Sequence, residues 1–200
     1  PRSRAGAENG LGNACYIARR LDEAAAHYGA ALELSRAAGD VRGQAGSTIN
    51  LGNVLLDQGR AAEAYDAQLR GIALARECGF RPFESNGVGN LAGAAVALGR
   101  IDEGRRHYEA HAALLREMGD RAGEAVVCSN VGGLLRQSGR IDDAIASLRR
   151  AVAIARQVGD RLSELPATFN LAYSLYWRGD DGEARTLLEH VLAELVGPGG

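Results

Sequence analysis

The strongest constraint on this chain is a period. Gly-Asp stands at Gly39-Asp40, Gly119-Asp120 and Gly159-Asp160, with Gly79-Phe80 as an altered copy, so the pair returns at a step of 40 residues. Asn50, Asn90, Asn130 and Asn170 keep the same step, each opening an Asn-Leu-Gly-like triplet. Gly59, Gly99, Gly139 and Gly179 keep it too, each followed by a polar residue. Self-similarity at a fixed step of this size predicts a stack of like units, each contacting only its neighbours. Five units are expected, at about 5–44, 45–84, 85–124, 125–164 and 165–196, in one repeat array spanning residues 1–200.

Each unit reads as two helices. In the fourth, Asp120 is suited to cap a first helix, because its carboxylate can accept from the free N–H groups of the opening turn. Gly139 is suited to end that helix, since a left-handed residue costs glycine nothing. Ile141, Ala144, Ile145, Leu148, Ala151, Val152 and Ala155 then recur at spacings of three and four, one face of a second helix that Gly159 closes. Helix breaks are therefore expected near every twentieth residue from 20 to 180. Two rows are small in every copy: Gly12, Gly52, Ala92, Gly132 and Ala172, then Ala24, Ala64, Gly104, Ala144 and Ala184. Small residues on facing helices let backbones approach toward the short end of the roughly 8–10 Å range. Leu11, Leu51, Leu91, Val131 and Leu171 form a large row, expected to fill the space between units.

Four departures carry expectations of their own. Arg19 replaces a turn glycine, which predicts a strained or differently built turn. Phe80-Arg81-Pro82 replaces Gly-Asp-Arg, with Pro82 suited to a helix start. Pro166 predicts a first helix that starts late in unit five, capped by Ser163. Asp181 stands where Leu21, Ile101 and Ile141 stand elsewhere, the polar drift of a terminal repeat.

These residues resemble the tetratricopeptide repeat family. The Asn-Leu-Gly triplets, the glycine closing each first helix and the alanine that follows carry the likeness. The step of 40 matches the family's longer variety, found in kinesin light chains, Leu-Gly-Asn repeat adaptors, and the sensor arrays of bacterial signal-transduction ATPases and antibiotic-regulator transcription factors. Gly-Asp-Arg-Ala-Gly-Glu-Ala at 119–125 is most similar to the bacterial set. The resemblance implies an all-α, right-handed superhelical solenoid of five helix-turn-helix repeats whose concave groove holds a protein or peptide. It is specific for fold and weak for function.

The bulk numbers exclude several classes. A formal net charge of −2 offers no field for nucleic acid or an anionic membrane. No apolar run approaches the length of a membrane span. Cys15, Cys78 and Cys128 show no CxxC spacing and hold unrelated places in the repeat, which reads as reduced thiols in a cytoplasmic protein. The start at Pro1 and the Gly-Pro-Gly-Gly end read as a piece of a longer protein.

Candidate functional residues follow. Asn50, Asn90, Asn130 and Asn170, with Asn53 one turn along, form a ladder of amides able to clamp a peptide backbone. First helices roughly 10 Å apart would place a rung at about every third residue of an extended strand. The alternative is that these amides belong to the repeat consensus and bond a neighbouring unit. Phe169, Tyr173, Tyr176 and Trp177 line one side of a helix, and aromatic residues of this kind dominate interface hot spots. They, with Arg136, are expected to select partner side chains, or else to cover the end of the core. His107 and His111 have a two-ligand spacing, but His27 shares His107's place in the repeat, and no metal or other cofactor is expected. Gly87, Gly89 and Gly93 lack the preceding strand of a phosphate loop and read instead as a weak helix. Arg105-Arg106 and Arg149-Arg150 read as solvated outer faces. No nucleophilic or paired-carboxylate constellation is present, so the chain is expected to be a non-enzymatic interaction or sensor module. The alternative is a structural module that docks on itself, as a homodimer, or on its own parent chain.

Overall fold

A computed structural model describes residues 2–197; Pro1 and residues 198–200 of the glycine-rich end lie outside them. The described residues form ten α-helices and no strand: α1 (Arg2–Ile17), α2 (Leu21–Ala37), α3 (Val41–Asp57), α4 (Ala61–Glu77), α5 (Arg81–Ala97), α6 (Ile101–Glu117), α7 (Arg121–Gln137), α8 (Ile141–Val158), α9 (Arg161–Arg178) and α10 (Asp181–Val196). Every expected break is present, and the architecture is that of an all-α helical-repeat solenoid. None of the helices is long and apolar enough to cross a membrane.

The breaks have one chemistry. Glycines 39, 59, 79, 99, 119, 139, 159 and 179 all take positive φ, between 60° and 94°. At the first of these, Gly39 N–H donates to Arg36 O at 3.1 Å and Asp40 N–H to Ser35 O at 2.9 Å, which closes the helix end and turns the chain. Arg19 makes the same turn at φ 60°, with Arg20 N–H donating to Cys15 O at 2.9 Å. The left-handed conformation costs a residue with a β-carbon about 1–2 kcal/mol, so the turn of the first pair is strained but not rebuilt. The carboxylates of Asp40, Asp120 and Asp160 accept from the N–H of Gly43, Gly123 and Ser163 at 3.1, 2.8 and 3.3 Å.

The last of those bonds corrects one expectation. Ser163 does not cap α9; Asp160 does, and the helix runs through Pro166. Proline at that position deletes only the bond to the carbonyl of Leu162, a residue lying in solvent, where water can replace it.

Two compact units are distinguishable, residues 1–107 and 108–200, meeting inside α6. In the first, α1 packs on α2, α2 on α3, α3 on α4 and α4 on α5, while α1 touches α3 and α3 touches α5. In the second, α7 packs on α8, α8 on α9 and α9 on α10, while α7 touches α9. First helices are thus neighbours of first helices.

The small rows do what their size predicts. A β-carbon added at Gly132 would fall 2.4 Å from Leu148 Cγ, and one at Gly12 would fall 2.6 Å from the Tyr28 ring. At Gly104 it would meet both Val96 and the carbonyl oxygen of Ala92, the latter at 3.0 Å. Between pairs, a β-carbon at Gly87 would fall 2.7 Å from Ile72 Cγ1. In the large row Leu91, Val131 and Leu171 are buried and Leu51 is half-buried, but Leu11 is 51% exposed, with no described helix packed over that side of α1.

Neighbouring glycines therefore should respond oppositely to one substitution. Gly133 has open space where a β-carbon would go, whereas Gly132 does not. Gly133→Ala is expected to stabilise by about 0.5–1 kcal/mol through helix propensity. Gly132→Ala should destabilise by about 1–3 kcal/mol through overpacking against Leu148. Urea denaturation of the two variants checks the sign.

Candidate functional site

In the second unit, α7 and α9 lie side by side and present a shared face. The spacing of four along α9 sets Phe169, Tyr173 and Trp177 in one row. The Phe169 and Tyr173 rings lie parallel within 3°, centroids 6.5 Å apart, and Trp177 meets Tyr173 edge-on at 6.2 Å. All three are exposed, Trp177 to 63%. From the last turn of α7, Arg136 reaches across and places its guanidinium carbon 4.7 Å from the Tyr173 centroid, a cation–π contact. Its Nε is buried and has no acceptor. Beside it, Gly133 leaves the α7 backbone bare.

Tyr176 does not join this row. It faces α10 and, with Arg185, Leu188 and Leu192, lines an open cavity of about 420 Å³ at the end of the unit. The four aromatics therefore divide between two surfaces.

The asparagines divide as well. The side-chain amides of Asn50 and Asn90 in the first unit, and of Asn130 and Asn170 in the second, make no hydrogen bond to another described residue. Asn130 is exposed and the other three half-buried. Asn53 is different: its Oδ1 accepts from Gln68 Nε2 at 3.0 Å, and the same Nε2 donates to Ile49 O at 3.0 Å. Asn13 Oδ1 likewise accepts from Tyr28 OH at 2.7 Å, and Asn9 Nδ2 donates to Ser47 Oγ at 2.9 Å. Asn53 thus serves the fold, while the four amides of the ladder have donors and acceptors to offer.

One electrostatic element was not anticipated from the residues. Arg76 Nε meets Glu84 Oε1 at 2.8 Å, Arg116 Nη1 meets Glu124 Oε1 at 3.7 Å, and Arg156 Nε meets Glu164 Oε1 at 2.7 Å. Each bond ties the end of a second helix to the first helix of the next pair. Glu124 is fully buried and also receives Arg121 and Arg150, the latter at 2.5 Å. Arg149 binds Glu183 of α10 at 2.9 Å. Arg149 and Arg150 are accordingly inter-helix struts rather than merely solvated charges. An arginine eight residues before each of Glu84, Glu124 and Glu164, at the repeat step, was the available signal.

The histidines do not assemble a site. His27 Nδ1 bonds Glu8 at 2.8 Å and His107 Nε2 lies 3.8 Å from Glu103. Among the described residues no group of three metal-ligating side chains occurs. Cys15, Cys78 and Cys128 are free thiols, and burial pushes the Cys128 thiol above its ordinary range, which suppresses its reactivity.

Models of the tetratricopeptide repeat match residues 45–67, 85–157 and 170–194. No curated protein matches the sequence. Among solved structures, a kinesin-light-chain protein of Podosopora anserina with nearly identical TPR-like repeats superposes with a TM-score of 0.81 at 19% identity, over 96% of this chain and 95% of that one. A signal-transduction ATPase of Pyrococcus horikoshii with a tetratricopeptide repeat sensor gives 0.85 at 13% identity, over 94% of this chain and 28% of that one. A Rap protein complexed with Competence and Sporulation Factor gives 0.73 at 14%, over 92% and 52%. At such identities the likeness is one of fold.

A pH dependence follows from His111. Its Nδ1 is enclosed without a partner, and burial holds its pKa below the ordinary value, against a weaker upward pull from Asp120. The unfolded chain therefore takes up a proton more readily than the fold. Stability is complete above the unfolded value of about 6.5 and falls as pH drops from there toward the depressed folded value. Urea midpoints should decline as pH falls below about 6.5, and His111→Gln should flatten that decline.

Proposed function

The chain belongs to the tetratricopeptide repeat family, and from that premise we propose that it is a non-catalytic module binding an extended segment of a partner protein along the face of its first helices, within a cytoplasmic bacterial regulator. The observation that carries this reading is the contrast among the asparagines. Asn50, Asn90, Asn130 and Asn170 recur from the second unit to the fifth and have no side-chain hydrogen bond to another described residue, whereas Asn13 and Asn53 each spend their Oδ1 internally. An amide that pairs with the N–H and C=O of an extended backbone needs both its groups free.

In the second unit, Asn130 and Asn170 supply such amides beside the bare backbone at Gly133, which admits a chain closely. Phe169, Tyr173 and Trp177 offer apolar area with few rotatable bonds to freeze. Arg136, held over Tyr173, presents donors toward the same surface. In the first unit the corresponding supply is Asn50 and Asn90. The family's protein-interaction role agrees with this, and the Rap protein bound to Competence and Sporulation Factor is a protein of like fold holding a partner.

The test begins with a peptide array covering acidic, basic, aromatic and aliphatic segments, followed by calorimetry on the best binder. Asn130→Ala should weaken binding by about 1–3 kcal/mol, the cost of an unmet buried backbone group, with melting unchanged. Asn53→Ala should do the reverse, lowering melting because the buried Gln68 Nε2 loses one of its two acceptors. Trp177→Ala should cost about 2 kcal/mol of affinity or more. An Asn130→Ala variant that melts lower yet binds as tightly would make the ladder structural and end the proposal.

A further inference from the structure

On α7, α8 and α9 the arginines are paired with carboxylates, with one exception. Arg121, Arg149, Arg150, Arg156, Arg161 and Arg178 each meet a glutamate or an aspartate. Arg136 has no ion pair or hydrogen bond to another described residue. Its Nε is buried without an acceptor, while its guanidinium carbon is held 4.7 Å from the Tyr173 centroid. Neither of the two helices it bridges has an acid left for it. Each carries a single carboxylate in its first turn, Glu124 on α7 and Glu164 on α9, and other arginines engage both. Arg136 stands in the last turn of α7.

The openness of this surface belongs to the repeat. Arg136 lies on α7, and α9 packs beside α7. The places of Tyr173 and Trp177 are held on α7 by Gly133 and Gln137, one half-buried and the other exposed. A neighbouring first helix thus leaves such places open.

The chemistry of the place favours one kind of occupant. A guanidinium lying on an aromatic face is partly removed from water, which strengthens its pull on an anion. Its planar fork matches a carboxylate through two parallel bonds. Phosphate-bearing motifs are held by clusters of arginines, and here there is one. On either side of Tyr173, Phe169 and Trp177 are 50% and 63% exposed and offer apolar flanks.

We propose that the partner segment bears one aspartate or glutamate that pairs with Arg136, next to an apolar side chain lying on the row of Phe169, Tyr173 and Trp177. The proposal rests on the first-helix face holding a partner segment, as proposed above, and adds the charge that selects it.

Trp177 is the only tryptophan, so its fluorescence reads binding at this place. The best tryptophan-free segment from the peptide array is remade with glutamate, glutamine, lysine or phosphoserine at each position in turn and titrated into the 200-residue chain. At one position glutamate should bind about tenfold to a hundredfold more tightly than glutamine, the margin of a charged hydrogen bond, and lysine should bind least. Salt should narrow that margin. With Arg136→Gln the glutamate and glutamine peptides should bind alike while melting holds, since no carboxylate of the fold loses a partner. Arg136→Lys should keep part of the preference. Wild-type protein that binds both peptides equally at every position overturns the proposal and leaves the face as a binding surface. A preference for glutamate that survives Arg136→Gln overturns it too, because the charge is then read elsewhere. Phosphoserine binding far more tightly than glutamate shows a phosphate site and also overturns it. An array without any binder removes this proposal together with the one it rests on.

Discussion

The structure depends on close approach between a small residue and a large one. A single helix pair cannot bury its own apolar stripe, and stacking supplies the missing wall only if backbones come near enough. Gly132 under Leu148 provides that within a pair, and Gly87 under Ile72 provides it between pairs. The tolerance is narrow, since one methyl group at either place would overlap its neighbour. Because second helices take the large residue at these contacts, first helices can lie alongside one another, α1 with α3, α3 with α5 and α7 with α9. A row of first-helix side chains is then left facing away from the core, and the unbonded asparagines stand there.

The Arg–Glu bonds from each second helix to the next first helix add a charged constraint to this steric one. Glu124 is the extreme case, wholly buried and served by three arginines. Burying a carboxylate costs several kcal/mol in desolvation, which charge-assisted bonds roughly offset, so the net gain in stability is small. What the arrangement supplies is register: a slipped stack would leave that charge buried without a partner.

The fold was legible because its signals repeat. One glycine at a turn is weak evidence, but eight at a constant step are not, and the helix boundaries follow them. The errors lie where a residue was read singly. Pro166 suggested a late helix start, yet Asp160 in the repeat position governs, and the freed carbonyl of Leu162 lies in water. Leu11 matched a buried row, but burial belongs to the junction and not to the residue, so the same type is buried at Leu171 and exposed at Leu11. Arg149 and Arg150 looked like surface charge, because sequence spacing within one helix does not show that their carboxylates lie on α10 and α7.

The site was less legible, and the asparagines show why. Asn53 and Asn130 are the same residue type on equivalent helices but stand three places apart in the repeat, and what faces each place separates their surroundings. Gln68 lies across from Asn53 and takes its oxygen, as Tyr28 takes that of Asn13. In the fourth pair the facing residue is Leu148, which has nothing to donate, and the place of Asn53 is held by Gly133. In the first, second and fourth pairs the row thus follows what faces it, an amide opposite Tyr28 and Gln68 and glycine opposite Leu148; the third pair, where Gly93 and Tyr108 hold the two places, does not follow this rule. In the fifth pair the same place carries Tyr173, with Arg136 stacked upon it. The neighbouring row holds Asn50, Asn90, Asn130 and Asn170 from the second pair to the fifth, and none of these amides hydrogen-bonds another described side chain. A residue recurring in four repeats without an internal hydrogen bond is the ground on which the face of the first helices, rather than the charged outer surface, is proposed for a partner.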